Sequence, residues 1–199
     1  MIPKTFIDYY GDQTRWFLGE VVNVADDPLK LGRARVRIFG VYDEIADEDL
    51  PWAQIVVPIT HTVHEGNGQV TGLLVGAQVF GIFLDGQNSQ LPLVVGSIPK
   101  DTGDKSDAQP RSLEHGEYPH NKAYQTESGH FKEYDDTPEK ERIKEFHKSG
   151  STWEMTNKTL TIKHNSGANI EMDENGNVNI SASGGGEVKI NGKSVRLNS

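Results

Sequence analysis

Two histidines three residues apart, His61 and His64, are the first residues whose spacing could support chemistry. On a helix such a pair could hold a metal ion, and Glu65 follows directly. The order is not the His-Glu-x-x-His order of zinc hydrolases. The surrounding residues have the pattern of a strand followed by a glycine-rich loop. We therefore predict that both histidines lie in a solvent-exposed loop.

Three more histidines, His130, His147 and His164, fall in the C-terminal part of the chain. A histidine near the axis of a trimer occurs three times, and such a set could bind a metal ion or an anion. The alternative, which we favour, is that these histidines are exposed or packed on strands.

Two acidic segments resemble functional sites only in part. Asp135, Asp136, Glu139 and Glu141 could supply the paired carboxylates of a glycosidase, but no cleft is indicated, so a solvated turn is predicted. Residues 173–177 resemble part of a calcium loop without its downstream glutamate, and their Asn-Gly pair favours a β-turn.

The glycine run at 184–186 lacks the Lys-Ser/Thr that completes a phosphate-binding loop. We predict a tight turn or a bend there. The sequence therefore predicts no catalytic, cofactor-binding or metal-binding residue, and no cofactor.

Composition narrows the class of protein further. The 199 residues include 20 Lys+Arg against 29 Asp+Glu, a net charge of −9, which argues against a nucleic-acid partner. There is no cysteine, so disulfides and thiolate metal sites are excluded. The hydrophobic fraction of 35% is low for this length. Part of the chain is therefore elongated, or it completes its core with a partner.

Residues 15–98 contain five short segments rich in strand formers. In one of them Arg33, Arg35 and Arg37 alternate with apolar residues, as on a strand with one wet face. Five is the number of strands in the OB-fold, so a small closed barrel is predicted, with a small sandwich as the alternative. The five predicted strands are 16–22, 33–40, 51–58, 77–84 and 91–98.

From residue 118 onward, apolar residues occur as isolated pairs separated by one residue, with Gly and Asn in the gaps. Each strand then offers two apolar side chains on one face, which cannot enclose a core alone. Three such faces could meet on one axis in a three-chain β-prism. The predicted trimer core comprises Trp153, Met155, Leu160, Ile162, Ile170, Met172, Val178, Ile180, Val188, Ile190, Val195 and Leu197.

The predicted fold is all-β, with an N-terminal OB-fold barrel followed by a C-terminal intertwined trimeric β-helix or β-prism. We predict an N-terminal arm at 1–14, the barrel at 15–98, a linker at 99–117 and the spike at 118–199.

Several motifs resemble one protein family. Residues 27–40 (DPLKLGRARVRIFG) and 50–53 (LPWA) resemble the N-terminal OB domain of the baseplate central spike of contractile-tailed phages. Further short segments resemble the start of the trimeric β-helix of that family, and of the spike modules of type VI secretion proteins. These segments are 118–121, 127–130, 135–138, 141–143 and 147–150.

The resemblance implies a structural homotrimer at the centre of a virion tail baseplate. It implies that the OB domain attaches to the hub protein of the tail tube and that the β-helix points toward the host. On sheath contraction the spike would cross the host outer membrane. Such a protein is made in the host cytoplasm and delivered into the host envelope.

The chain departs from the family pattern in two places. Members from T-even phages carry a lysozyme domain between barrel and spike, whereas the linker at 99–117 is too short for a hydrolase core. We therefore expect no enzymatic activity. Some shorter members end in an iron-binding His-x-His tip, which residues 193–199 lack. A separate small tip protein is therefore expected.

We assign Arg33, Arg35 and Arg37 to a contact with an acidic hub surface, because charge complementarity sets register at such joints. Three alternatives remain at this stage. One is a peptidoglycan hydrolase. Another is an OB module that binds oligosaccharide or single-stranded nucleic acid. The last is the spike of a related contractile injection or secretion system, whose members usually fuse hub and spike.

Overall fold

The computed structural model describes residues 14–68, 72–100 and 119–196. The chain divides into two compact units, Met1–Ala108 and Gln109–Ser199. The predicted arm at 1–14, apart from Thr14, and the predicted linker beyond residue 100 lie outside the described residues. Within the described ranges no helix is both long and apolar enough to span a membrane.

The first unit contains a closed barrel of five strands in the order β1-β2-β3-β5-β4. Neighbouring strands are antiparallel except β3 and β5, which are parallel. The predicted closed barrel is therefore confirmed, and the sandwich alternative is excluded. The strands are β1 Arg15–Asn23, β2 Ala34–Ile38, β3 Trp52–Ile55, β4 Gln78–Phe83 and β5 Pro92–Ile98.

The barrel interior is filled by alternate residues of each strand, as the period of two requires. Gly81 shows how tightly they pack, because a Cβ atom there would lie 2.3 Å from the ring of Phe17 and 2.4 Å from the carbonyl oxygen of Leu93. The buried core consists of Phe17, Val21, Ala34, Val36, Ile38, Tyr42, Leu50, Ala53, Val79, Phe83 and Val94.

The second unit is a sheet of seven strands in which each strand pairs antiparallel with its neighbours in sequence. This arrangement is a meander, and short turns join its strands at two opposite ends. The strands are β6 Asn121–Gln125, β7 Phe131–Asp135, β8 Arg142–Phe146, β9 Thr152–Thr156, β10 Thr159–Lys163, β11 Asn169–Asp173 and β12 Val178–Ser181.

The structure differs from the predicted pattern after β12. Val188, Ile190 and Val195 were expected on strands, but residues 182–196 of the described chain contain none. Gly184 and Gly185 take φ values of 62° and 82°, which interrupts an extended chain at this point. Leu197 lies outside the described residues.

Candidate assembly surfaces

The second unit carries two rows of apolar side chains on one face of its sheet. In each row, every side chain lies opposite the next one on the neighbouring strand. The register therefore brings together eight of the twelve residues predicted for a trimer core. We call these two rows the apolar stripe. It consists of Met155, Leu160, Met172 and Val178 in one row, and Trp153, Ile162, Ile170 and Ile180 in the other.

The apolar stripe is exposed, whereas polar side chains on the opposite face of the neighbouring strands are buried. Ile162, Val178 and Ile180 are 50%, 59% and 54% exposed, whereas Glu133 on β7 and Lys144 on β8 are 0% and 5% exposed. An antiparallel sheet that is complete by itself buries its apolar face and leaves the polar one in water. The inverted pattern indicates a surface that another molecule covers.

The polar face contains a network of four charges, three of them almost fully buried, which sequence analysis did not anticipate. A guanidinium nitrogen of Arg142 lies 2.6 Å from a carboxylate oxygen of Glu133. Glu154 lies 3.7 Å from Arg142 and 3.5 Å from Lys144. Asn121 donates to Glu133 at 2.6 Å. Each of these charges lies near one of opposite sign, which burial demands.

Three turns at one end of the sheet share the sequence x-x-Ser-Gly and begin at Thr126, His147 and His164. In each, the glycine N–H donates to the carbonyl of the first residue, at 2.8–3.0 Å. The glycines take φ values of 89°, 96° and 95°, which a side chain would strain. The same letters, Ser-Gly in the third and fourth places, recur from Ser181. His147, His164 and Ser181 occur at equal intervals along the chain, a repeat that sequence analysis missed.

The turns also determine which ring nitrogen carries the proton in the neutral forms of His147 and His164. Nδ1 of His147 and Nδ1 of His164 each accept a backbone N–H, from Ser149 and Ser166, at 3.2 Å. A neutral ring whose Nδ1 accepts a hydrogen bond carries its proton on Nε2. That nitrogen therefore presents a donor, whereas a metal ligand there must present a lone pair. The geometry disfavours the metal alternative for these two rings.

His130 lies beside the same turns. Its ring packs on that of His147 with centroids 4.4 Å apart, and its Nδ1 accepts the N–H of Lys148 at 3.3 Å. The three histidines border a groove of about 570 Å³ that also includes Trp153 and Ile162. Since those two belong to the apolar stripe, the groove is a continuation of that surface.

In the barrel, Asp27 organises the loop between β1 and β2. Its carboxylate accepts the backbone N–H groups of Leu29, Leu31 and Arg33 at 3.1, 2.8 and 3.3 Å. The guanidinium of Arg33 lies 2.6 Å away. The hydrogen bond from Arg33, together with these N–H groups, holds the pKa of Asp27 well below its usual range, although burial opposes this. The loop is thus fixed by one side chain.

The three arginines assigned to a hub contact point outward, but each is engaged within the barrel. Arg33 pairs with Asp27, and Arg37 pairs with Asp47. Arg35 donates to the carbonyl of Asp47 at 3.1 Å and lies 4.8 Å from the centre of the Trp52 ring. The hub contact stays a prediction.

Two of the remaining candidates lie where an exposed loop and a β-turn were predicted. His64 is in the loop after β3, with its side chain 75% exposed and a bridge to Asn67. Asp173 begins a turn in which its carboxylate accepts the N–H groups of Asn175 and Asn177 at 2.9 Å. The hydrogen bonds from Asn177 lower the pKa of Asp173.

The prediction of a solvated turn is wrong for Asp135. This residue is 1% exposed, and one carboxylate oxygen accepts the N–H and hydroxyl of Thr137 at 3.0 and 2.6 Å. Asp136 is exposed and pairs with Lys122. The alternation of β7 places Asp135 on the same face as Glu133, which is why it is buried.

A closed five-stranded barrel joined to an antiparallel meander with an exposed apolar stripe defines an all-β assembly protein. The model of the family described as the Gp5 N-terminal OB domain matches residues 40–182. The chain belongs to this family. The matched residues run past the barrel and through β12.

Two relatives are similar over part of their length. The pre-baseplate central spike protein Gp5 of Enterobacteria phage T4 is 39% identical over 89 residues, which are 40% of this chain and 15% of that protein. Protein Gp5 of Vibrio phage KVP40 is 32% identical over 100 residues, 45% of this chain and 24% of that protein. The chain therefore spans less than a quarter of either relative.

Proposed function

We propose that this chain is a structural central spike of a phage tail baseplate and that it acts as a homotrimer. The observation that carries the proposal is the exposed apolar stripe of β9–β12. A two-residue-wide stripe on each of three chains can meet at one axis and be covered there. The name of the T4 relative, and the phage origin of both relatives, support the baseplate setting over a secretion system.

The proposal assigns a separate role to each segment of the chain. The barrel, at 15–98, attaches to the hub of the tail tube, and the second unit, at 118–199, forms the intertwined spike that crosses the host envelope. The segments 1–14 and 99–117 act as arm and linker. A separate tip protein covers the far end.

The proposed mechanism is mechanical rather than catalytic. Covering the stripe in a trimer removes apolar surface from water, which contributes about 25 cal/mol per Å². Separating one chain re-exposes the stripes of all three, so the assembly resists both bending and the unfolding of a single chain.

The barrel gives an argument against a nucleic-acid partner. The centre of the Trp52 ring lies 4.8 Å from the guanidinium of Arg35 and 5.8 Å from that of Arg33. Because bases would stack on that ring, the contact disfavours a nucleic-acid partner.

Light scattering after size exclusion tests the proposal. A trimer has a mass of about 66 kDa, three times 22.0 kDa. Ile180→Asp would place three carboxylates near the axis, and we expect loss of the trimer. Asn179→Asp adds the same charge to the preceding residue of β12, on the opposite face, and should leave the trimer intact. A wild-type mass equal to that of a single chain, or equal effects of the two variants, would contradict the proposal.

A further inference from the structure

An apolar patch covers the outer surface of the barrel where β1, β4 and β5 lie side by side. The register places Trp16 opposite Ile82, Ile82 opposite Leu93, and Leu18 opposite Phe80. Trp16 is 65% exposed, and its ring centroid lies 6.4 Å from that of Phe80. We call these five residues the barrel patch. Such a continuous apolar area on the outside of a barrel indicates a contact surface.

The same barrel carries a projecting apolar loop of fixed conformation. Leu29 and Leu31 are 64% and 68% exposed, yet their backbone N–H groups are held by the buried carboxylate of Asp27. Lys30 lies between them with a φ of 51°. We call residues 29–31 the leucine loop. A loop that is already ordered loses little conformational entropy when it binds.

The leucine loop and Trp16 of the barrel patch lie toward opposite ends of β1. Trp16 lies near the start of β1, and the loop follows its end at Asn23. Seven residues of strand span about 23 Å. One chain thus carries two unlike exposed apolar surfaces at different places on its barrel. Such a pair of surfaces can form head-to-tail contacts between copies. These contacts close into a ring when the rotation from one copy to the next divides a full turn evenly.

We infer that the leucine loop of one copy docks on the barrel patch of the next, in a ring of three barrels. This inference rests on the proposed trimer and names the barrel surfaces that join it. Charge complementarity supports a second copy as the occupant. Lys30 is at the tip of the loop. Asp85, whose carboxylate accepts the N–H groups of Gln90 and Leu91, follows β4 at the end where Trp16 meets Ile82. Arg15 at the same end donates to Ser89 at 2.8 Å. Opposite charges at these two places would orient the contact.

Disulfide trapping tests the inference in the full chain, which has no cysteine of its own. We expect the double variant Leu31→Cys/Phe80→Cys to give a covalent trimer on a non-reducing gel after mild oxidation. A bond within one chain would leave a monomer on the gel, so a covalent trimer reports bonds between copies only. In the wild type, carbodiimide should join Lys30 of one copy to Asp85 of another, detected by mass spectrometry of the cross-linked band.

The control pair is Ile59→Cys/Phe80→Cys, because Ile59 is fully exposed but outside the leucine loop. We expect this pair to give little covalent trimer. A trimeric mass with equal trapping of both pairs and no Lys30–Asp85 cross-link would overturn the inference and leave the spike trimer standing. Dimers formed by Leu31→Cys alone would also overturn it, since the loops would then meet each other. A monomeric mass without cross-links would overturn both proposals.

Discussion

Arg142 and Glu133 form an ion pair at 2.6 Å in which the two side chains are 8% and 0% exposed. Removing either partner leaves a buried charge uncompensated. We expect Arg142→Ala to lower the free energy of unfolding of the second unit by about 3–5 kcal/mol. Urea denaturation followed by the fluorescence of Trp153, in a protein with Trp16 and Trp52 replaced by Phe, would measure the change.

Lys122→Ala is the matched control for that experiment. Lys122 pairs with Asp136, and the two side chains are 65% and 57% exposed. An exposed pair contributes at most about 1 kcal/mol. Similar losses in the two variants would show that the buried network is not the stabilising element.

The carboxylate of Asp27 should make the protein less stable as the pH falls into the acidic range. Its pKa is lowered in the folded state, so its contribution is fully present above the ordinary value of 3.8 and is lost as pH falls below it. We expect Asp27→Asn to be less stable than wild type at neutral pH, and the difference to shrink toward pH 2. Thermal unfolding across this range would measure it, and a constant difference would contradict the assignment.

Tyr42 should make the protein less stable as the pH rises into the alkaline range. Burial, helped by the nearby Asp85 and opposed by Arg15, raises the pKa of Tyr42 to about 12. Between pH 10 and 12 the unfolded state loses this proton first, so stability falls as pH rises. Tyr42→Phe should lack that fall, while losing about 1 kcal/mol at neutral pH with the hydrogen bond to Ser89. Parallel alkaline unfolding curves for the two proteins would exclude this role.

The histidine turns predict a graded pair of variants. His164→Ala removes the acceptor of the Ser166 N–H and should cost about 1 kcal/mol, as loss of a helix cap does. His164→Asn supplies another short acceptor and should retain most of the stability. Asp173 already performs this role at the opposite end of the sheet. Chemical denaturation of the two variants gives the comparison, and equal losses would rule out the cap.

The barrel was predictable because its signals are local. Arg33, Arg35 and Arg37 alternate with apolar residues, and that alternation alone places β2 with one face inward. The partners of these arginines could not be predicted in the same way. The pairing of Arg33 with Asp27 and of Arg37 with Asp47 depends on how loops fold back, which no periodicity records.

For the second unit, the sequence predicted the apolar face of the sheet but not the burial of polar residues on its other face. The paired apolar residues correctly indicated the apolar stripe. Charged residues at alternate positions of a strand normally face water. The pattern therefore indicates exposure for Glu133 and Lys144, whereas both are buried in the structure. Their partners lie on neighbouring strands, and the register that joins Glu133 to Lys144 is fixed by the whole meander. The Gly184–Gly185 bend likewise overrode the alternation at Val188 and Ile190.

The turns at His147 and His164 begin at equivalent points of successive hairpins. Each such unit adds two strands to the sheet, or about 9.5 Å across it. The sheet can therefore be lengthened or shortened in whole units without disturbing the facing of any side chain. Duplication or deletion of one hairpin at the DNA level therefore changes the extent of this sheet in fixed steps, and removal of residues 147–163 is the smallest step that keeps the pattern in phase.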